Sequence, residues 1–370
     1  MALNVENKKK KILFVVEAMG GGVFTYIVGL ANELVETYDM YVAYGLRDQT
    51  PKDYKDYFDK RIHLIKVKNF TREINLSKDV KAMFEVKKIA AKIKPDVIHL
   101  HSSKAGVIGR VVFSGKTPMF YTPHGYSFLM EDTSPKKRVV FKLIEKVCGM
   151  RNCTTISCSE GEHQEAMKIT KKATYVNNGI NRAEVQETID KTKKENHPFT
   201  VFTLGRICYQ KNPTLFNQVA ERLPDVKFVW IGDGELREDL KSKNITITGW
   251  ADRATAIRHA VNADVFILTS RWEGLPISLL EAMYMKKVCV VSNVIGNKDV
   301  IHNGENGFIC TKADEFVKVI QDIQKMDTKE ITDQASEDIE NIYNTQVMAQ
   351  NYSKLYMKGM ERKNKKKTKR

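Results

Sequence analysis

Residues 263–282 read Ala263-Asp264-Val265-Phe266-Ile267-Leu268-Thr269-Ser270-Arg271-Trp272-Glu273-Gly274-Leu275-Pro276-Ile277-Ser278-Leu279-Leu280-Glu281-Ala282. The first eight form an apolar run ending in small hydroxyl residues, the pattern of a strand buried on both faces. Gly274 allows a turn. Pro276 suits the first turn of a helix, where its missing N–H is no loss. Residues 277–286 then read as that helix. Glu273 falls in the strand-to-helix loop and Glu281 is expected to face out on the helix. At 1.5 Å rise per residue the two carboxylates straddle about 7 Å. Between them lie the free N–H groups of Leu275, Ile277 and Ser278, at the positive end of the helix dipole. This is a site for an anion with a hydroxyl-rich group on either side, the layout of ribose, diphosphate and sugar in a nucleotide sugar. Two glutamates at this spacing also occur by chance in helical proteins, so the rest of the chain has to support the reading.

A chain of 370 residues exceeds what one core usually holds, which predicts two domains. The six cysteines, Cys148, Cys153, Cys158, Cys208, Cys289 and Cys310, are scattered, mostly in apolar segments and without Cys-x-x-Cys spacing. That argues against a zinc site or a disulfide framework and for reduced thiols in a cytoplasmic protein. No apolar run approaches the roughly 18 residues of a membrane span. No signal peptide is expected before the first strand, because the preceding residues are charged.

The net charge of +15 is concentrated at the ends: +3 in residues 1–11 and +7 in residues 362–370, leaving +5 for residues 12–361. Such tails suit an anionic membrane surface or nucleic acid, or merely aid solubility. No motif with interleaved aromatics supports nucleic-acid binding, and none is expected. Residues 135–149 predict a helix with an apolar stripe of Val139, Val140, Leu143, Ile144 and Val147 flanked by basic residues. A core-facing helix shows such a stripe; so does a helix lying on anionic lipid.

Strands alternate with helices twice along the chain. The first run opens with a strand at 11–17, the loop Gly20-Gly21-Gly22 and a helix at 23–37, the start of a doubly wound α/β domain. The loop lacks Gly-x-Gly-x-x-Gly spacing, so no dinucleotide is inferred. Three glycines still permit close ligand approach beside a helix start. Further on come His99 and His101 on one strand face, then Ser102-Ser103-Lys104, and His124-Gly125 after a strand at 118–122. The second run restarts with Thr200–Leu204, then Gly205-Arg206, and Lys211 before Asn212-Pro213. A guanidinium fork and an ammonium at a strand end suit a diphosphate. There is no Asp-x-Asp sequence, so no bound metal is expected.

The Glu273–Glu281 stretch closely resembles the Glu-x7-Glu motif of glycosyltransferase family 4, a group of retaining enzymes of GT-B fold. The words around 99–110 are similar to those of members that build bacterial surface and capsular polysaccharides. The resemblance implies two Rossmann-like domains facing across a cleft. It implies residues 1–180 as an acceptor domain, 199–344 as a nucleotide-sugar domain and 345–361 as a helix crossing back; the polar, helix-poor composition before the second run marks 181–198 as a linker, and the charge of 362–370 marks a basic tail.

By resemblance Arg206 and Lys211 hold the leaving diphosphate, Glu281 the ribose and Glu273 the sugar. Gly274, Leu275 and Pro276 line the donor, Trp250 lies near the base, and Gly21 and Gly22 face the cleft. His124 stands beside the donor sugar, and Ser102, Ser103 and Lys104 meet an acceptor phosphate. The implied activity is transfer of a hexose or N-acetylhexosamine, with retained configuration, from a nucleotide sugar to a polyprenyl-diphosphate-linked saccharide. Uridine diphosphate as carrier comes from the resemblance alone. The protein would work from the cytoplasmic face of the cell membrane, held by helix 135–149 and the tail. The family departure at Asn212, where glycine is frequent, is mild. A non-hydrolysing nucleotide-sugar epimerase and a silent partner subunit are the alternatives.

Overall fold

The computed structural model describes residues 9–71 and 73–368. Two all-parallel sheets organise it. The first holds β1 (Lys11–Met19), β2 (Asp39–Leu46), β3 (His63–Lys66), β4 (Val97–His101), β5 (Met119–Thr122), β6 (Thr154–Ser157) and β7 (Ala173–Tyr175), in the order β3-β2-β1-β4-β5-β6-β7. The second holds β8 (Thr200–Leu204), β9 (Lys227–Ile231), β10 (Ile245–Ile247), β11 (Val265–Leu268), β12 (Val288–Ser292) and β13 (Phe308–Cys310), in the order β10-β9-β8-β11-β12-β13. Each order reverses once, between β1 and β4 and between β8 and β11. Beyond the carboxyl ends of strands at such a reversal, the flanking loops part and leave a crevice for a ligand.

The central strands are apolar on both faces because helices cover both. On one side of the first sheet, α1 (Gly21–Leu34) and α12 (Thr345–Thr368) pack over Phe14, Val16 and Phe120. On the other, α2 (Leu76–Ile93), α3 (Ser103–Val112) and α4 (Pro135–Gly149) pack over Leu13, Val15 and Tyr121. α5 (Glu160–Met167) links β6 to β7. The second sheet is flanked by α7 (Pro213–Glu221), α8 (Arg253–Val261), α9 (Ile277–Tyr284), α10 (Ala313–Ile323) and α11 (Lys329–Asn341).

Two expectations are corrected. Residues 181–198 are not a bare linker: they contain α6 (Arg182–Asp190), capped by the Asn181 side chain, which accepts from the Glu184 N–H. Val185 is fully buried in the second core, so this helix belongs to the second domain. Only Val185 and Ile189 supply its apolar pattern, too few to reveal a helix in a polar stretch. The closing helix does not stop at 361 but runs to Thr368, so most of the basic tail is helical; residues 369–370 lie outside the described ones. Its Tyr352 and Tyr356 are buried in the first domain, on the sheet face opposite α4.

The apolar stripe of α4 does not face the core. Val139, Leu143 and Val147 are 68%, 60% and 52% exposed, while the helix is seated through Glu145 and Cys148 on its other side. Among the described residues, no helix is long and apolar enough to cross a membrane.

Candidate active site

The second domain builds its half of the site at the β8/β11 reversal. The loops after these strands are laced together. Arg271 donates its backbone N–H to Gln210 O at 2.8 Å, and the Thr269 hydroxyl donates to Lys211 O at 2.9 Å. Behind them Ser292 Oγ donates to Ser270 O at 2.6 Å. This fixes Lys211 against Glu273, Nζ to Oε1 at 2.7 Å. Ser270 Oγ donates to the same oxygen at 2.6 Å. Lys211 and Glu273 thus meet as a mostly buried ion pair, with side chains 16% and 7% exposed. Arg206, at the end of β8, pairs with Glu235 at 2.9 Å and stays more open, at 36%. Helix α9 starts after Pro276, with Leu275 and Pro276 buried behind the loop. Trp250 is 63% exposed.

Glu281 is corrected. It does not face out: it is 5% exposed and accepts from Arg253 Nε at 2.8 Å. Arg253 also reaches Glu184 at 2.6 Å. Arg253 lies 28 residues before Glu281, on α8, and nothing in the local sequence joins them.

The first domain contributes a histidine cluster, beside an Arg47–Glu17 ion pair at the carboxyl end of β1 (2.6 Å, side chains 16% and 3% exposed). His124 and Gly125 both sit in the left-handed backbone region, φ +56° and +92°. For a non-glycine residue that conformation is strained and needs support from its surroundings. Glu162 supplies it: its carboxylate accepts from the Gly125 N–H at 2.8 Å and the Cys158 N–H at 2.7 Å. His101 Nδ1 lies 3.1 Å from His124 Nε2, and Tyr26 meets the His124 ring edge-on at 4.5 Å between centroids. Behind them His99 hydrogen-bonds Tyr356 Oη at 2.6 Å and Thr122 Oγ1 at 2.9 Å. Burial pushes all three histidines down, His124 to about 3, so the cluster is uncharged. His99 and His101 share a strand face, as alternation requires, with ring centroids 4.0 Å apart.

The His124 ring is therefore corrected as well. Both its nitrogens are turned into the domain, Nδ1 lying 3.7 Å from Cys158 Sγ. What this turn presents toward the second domain is backbone: a Cβ added to Gly274 would lie 3.6 Å from Gly125 N. The halves are also tied by Asn178 Nδ2 to Leu275 O at 2.7 Å and by the Gly161 N–H to Asp299 Oδ2 at 3.0 Å.

Gly21, at φ +55°, and Gly22 open α1, and a Cβ at either would meet nothing within 4 Å. Gly22 has no packing reason to be glycine, so the space beyond it is open to a ligand. Ser102 and Ser103 stand at the β1/β4 reversal. Ser102 Oγ donates weakly to Glu17, at 3.5 Å, and Ser103 Oγ accepts from Ser127. Lys104 is corrected. Its ammonium donates to Thr71 O at 2.7 Å and Glu73 O at 2.6 Å and pairs with Asp79 at 2.7 Å. Those bonds hold the 71–79 segment and leave it no donor for an acceptor phosphate.

Glu162 and Arg253 are supporting residues whose roles the sequence does not disclose, and for His101 it gives the strand face but not the contact with His124. One local signal existed: Ser159-x-x-Glu162 reads as a capping box. Ser159 does accept from the Glu162 N–H, at 3.2 Å, but the Glu162 carboxylate is diverted to Gly125 and Cys158.

Two parallel α/β domains meeting at facing strand ends, one carrying a cationic, carboxylate-bearing helix start, define a GT-B type of protein. Comparison with known proteins agrees. Residues 20–184 match the profile of "Glycosyltransferase Family 4" and residues 184–341 that of "Glycosyl transferases group 1". The chain is 33% identical over 303 residues to the UDP-Gal:alpha-D-GlcNAc-diphosphoundecaprenol alpha-1,3-galactosyltransferase of Escherichia coli, covering 72% of this chain and 76% of that one. It is 25% identical over 336 residues to the capsular polysaccharide biosynthesis glycosyltransferase CapM of Staphylococcus aureus, covering 82% and 87%. Among solved structures it resembles sucrose-phosphate synthase from Thermosynechococcus elongatus, with TM-score 0.80, 17% identity and coverage of 95% and 99%. HepE of Anabaena in complex with UDP and glucose gives TM-score 0.74 at 16% identity, covering 94% and 100%. The chain belongs to the family 4, group 1 glycosyltransferases, and its fold is GT-B.

Proposed function

We propose that this protein transfers a hexose or N-acetylhexosamine from a uridine diphosphate sugar to a saccharide carried on polyprenyl diphosphate, retaining the anomeric configuration. The Lys211–Glu273 pair at the β8/β11 reversal, beside the start of α9, carries this reading. It sets a cation for the diphosphate next to a carboxylate for sugar hydroxyls. On donor binding Lys211 is shared between Glu273 and the diphosphate, while Ser270 keeps the carboxylate in place. Arg206 turns from the exposed Glu235 to the same anion. Glu281, held by Arg253, accepts from the ribose.

In the reaction the bond from sugar C1 to the diphosphate oxygen breaks and a bond from C1 to the acceptor oxygen forms on the same face. The acceptor proton passes to the departing oxygen. Arg206, Lys211 and the helix start stabilise that oxygen as its charge grows, and the remaining contacts hold the reactants in register. No divalent ion is required in this scheme. The backbone of His124 and Gly125, rather than the imidazole, faces the sugar. The E. coli relative is named for a diphosphoundecaprenol acceptor and the HepE structure for UDP, which supports both substrate classes. Such an acceptor places the protein on the inner face of the cell membrane, and the exposed stripe of α4 suits that position. An epimerase or a silent subunit is not favoured, since both cations and both glutamates stand at the reversal.

The test is turnover with a panel of nucleotide sugars on a polyprenyl-diphosphate saccharide, the product anomer being read by proton coupling. A retained anomer and activity that survives exhaustive chelation are expected. An inverted product refutes the same-face route. Activity that vanishes with chelator and returns with magnesium or manganese refutes the charge assignment.

A further inference from the structure

The ion pair at the carboxyl end of β1 has no part in the donor site on the opposite wall. Glu17, 3% exposed, meets Arg47, the first residue after β2. Arg47 Nη2 donates to Glu17 Oε2 at 2.8 Å and lies near Oε1 without hydrogen-bond geometry. Three buried atoms of the pair therefore have no hydrogen-bond partner among the described residues: Glu17 Oε1, Arg47 Nε and Arg47 Nη1. Such atoms are rare, because each loses its water without replacement. The pair across the cleft is better satisfied. Glu273 Oε1 accepts from both Lys211 and Ser270, and Oε2 lies 3.4 Å from Gln210 Nε2.

Nothing in the fold requires the Glu17–Arg47 pair. β1 and β2 are already joined through their main chains, from Lys11 with Asp39 to Met19 with Leu46. The turn after β2 is closed by Thr50, whose Oγ1 accepts from the Arg47 N–H at 2.8 Å and donates to Met19 O. Burial pushes the Glu17 carboxyl up, against the pull of Arg47 and Lys104. Charge buried at such cost, with nothing gained for the core, points to a ligand.

The surroundings are those of a binding crevice. The pair stands at the β1/β4 reversal. Ser102, just beyond β4, holds φ +82°, a strained value for a residue with a side chain. Its Oγ lies 3.5 Å from Glu17 Oε2. A Cβ at Gly20 would fall 3.2 Å from Arg47 Cβ, so the glycine loop runs beside the pair, and a Cβ at Gly21 or Gly22 would meet open space.

The unpaired atoms also define the ligand's chemistry. A carboxylate oxygen beside guanidinium donors complements hydroxyl groups, which both donate and accept. A phosphate would meet the Glu17 charge, and the Lys104 ammonium is spent on Thr71, Glu73 and Asp79.

We propose that Glu17 and Arg47 bind hydroxyl groups of the acceptor saccharide, Oε1 accepting from one hydroxyl while Nε and Nη1 donate to its neighbour. The acceptor is thus read here by its sugar and not by its phosphates. This rests on the reading of the chain as a transferase to a saccharide, and it names the residues that select that saccharide. Entry is past Arg47, the more exposed partner at 16%.

The experiment uses the full chain and short-alkyl diphosphates of glucose, galactose and their N-acetylamino forms, with monodeoxy analogues of whichever binds best. Calorimetry at saturating UDP compares the parent with Glu17→Gln and with Arg47→Gln, and thermal melting verifies the fold. Where one variant melts early, the other carries the same comparison. Each variant is expected to lose about tenfold or more in acceptor affinity, the scale of one lost charged hydrogen bond. Affinity for UDP should stay at the parent level, and inorganic pyrophosphate should not compete with the acceptor. At one hydroxyl, the deoxy analogue should lose about tenfold on the parent and nothing further on Glu17→Gln, which a merely structural role would not produce. If every deoxy analogue loses as much on Glu17→Gln as on the parent, the carboxylate touches no hydroxyl and the proposal is overturned. Competition by pyrophosphate that Arg47→Gln abolishes would make this a phosphate site and overturn it too. No binding of any of these acceptors by the parent also overturns it. Binding that depends on Glu17, without turnover from any nucleotide sugar, would leave the site standing and count against the transferase reading alone. Turnover with equal acceptor affinity in the parent and both variants would do the reverse.

Discussion

Both walls of the cleft carry ion pairs, Arg47 with Glu17 among them on the first, but they differ in what surrounds their central turns. The second domain presents ion pairs: Lys211 with Glu273, Arg206 with Glu235, Arg253 with Glu281. The first presents a buried, uncharged cluster of His99, His101 and His124 behind a strained turn. A wall that receives a dianion needs cations, and cations waiting in a partly buried site need carboxylate partners to offset desolvation. If the proposed function holds, the turn at His124 and Gly125 meets a neutral sugar, for which shape and backbone polarity suffice and charge would only add desolvation cost.

The difference can be broken most visibly at Glu281. Were it free of a protein partner, Glu281→Gln would touch only donor binding. As it is buried on Arg253, the substitution also leaves a guanidinium short of one charged partner. Donor affinity is expected to fall by about 1.5–3 kcal/mol, and stability by about 1–3 kcal/mol. Calorimetry and urea unfolding measure the two separately. A variant that loses affinity with unchanged stability would return Glu281 to the cleft surface, and one with unchanged affinity would remove it from the donor site.

The first wall makes its own, smaller prediction. Its histidines have folded-state values depressed by burial, against about 6.5 in an unfolded chain. Below about pH 6.5 the unfolded chain therefore binds more protons. Stability should be level above that pH and fall as pH drops, toward about 3 where His124 itself takes up a proton. Each histidine contributes a slope of about 1.4 kcal/mol per pH unit in that window. Urea unfolding of the parent and of His101→Gln between neutral and mildly acidic pH should differ in slope by about one such contribution. Equal slopes would mean that His101 is protonated, or freely solvated, in the folded protein.

The same contrast separates what the sequence disclosed from what it did not. The strand–loop–helix words around Glu273 and Lys211 are local, because the loops after β8 and β11 are short and each carries its own charged side chain. The alternation of strands and helices likewise disclosed both sheets, and α4 could be bounded from Pro135 to Gly149. Arg253 and Glu162 act through partners 28 and 37 residues away, and no periodicity reports such a contact. Lys104 looked available because a lysine after a strand gives no hint of the carbonyls that will meet it. The stripe of α4 was ambiguous for a physical reason: core-facing and lipid-facing helices need the same spacing, and only the position of Glu145 beside Arg110 settles which side packs. Helix α6 was missed because its cap and two apolar residues give too weak a pattern.

Central to the proposed function is the assignment of Lys211, paired with Glu273, as the cation that receives the donor's diphosphate. Calorimetric titration of UDP and of a UDP-sugar into the full chain and into Lys211→Ala tests it most directly, with thermal melting to verify folding. The expected result is binding to the parent and a loss of about 1.5–3 kcal/mol in the variant, for UDP and UDP-sugar alike. Equal affinity of the parent and a folded Lys211→Ala for UDP would contradict it.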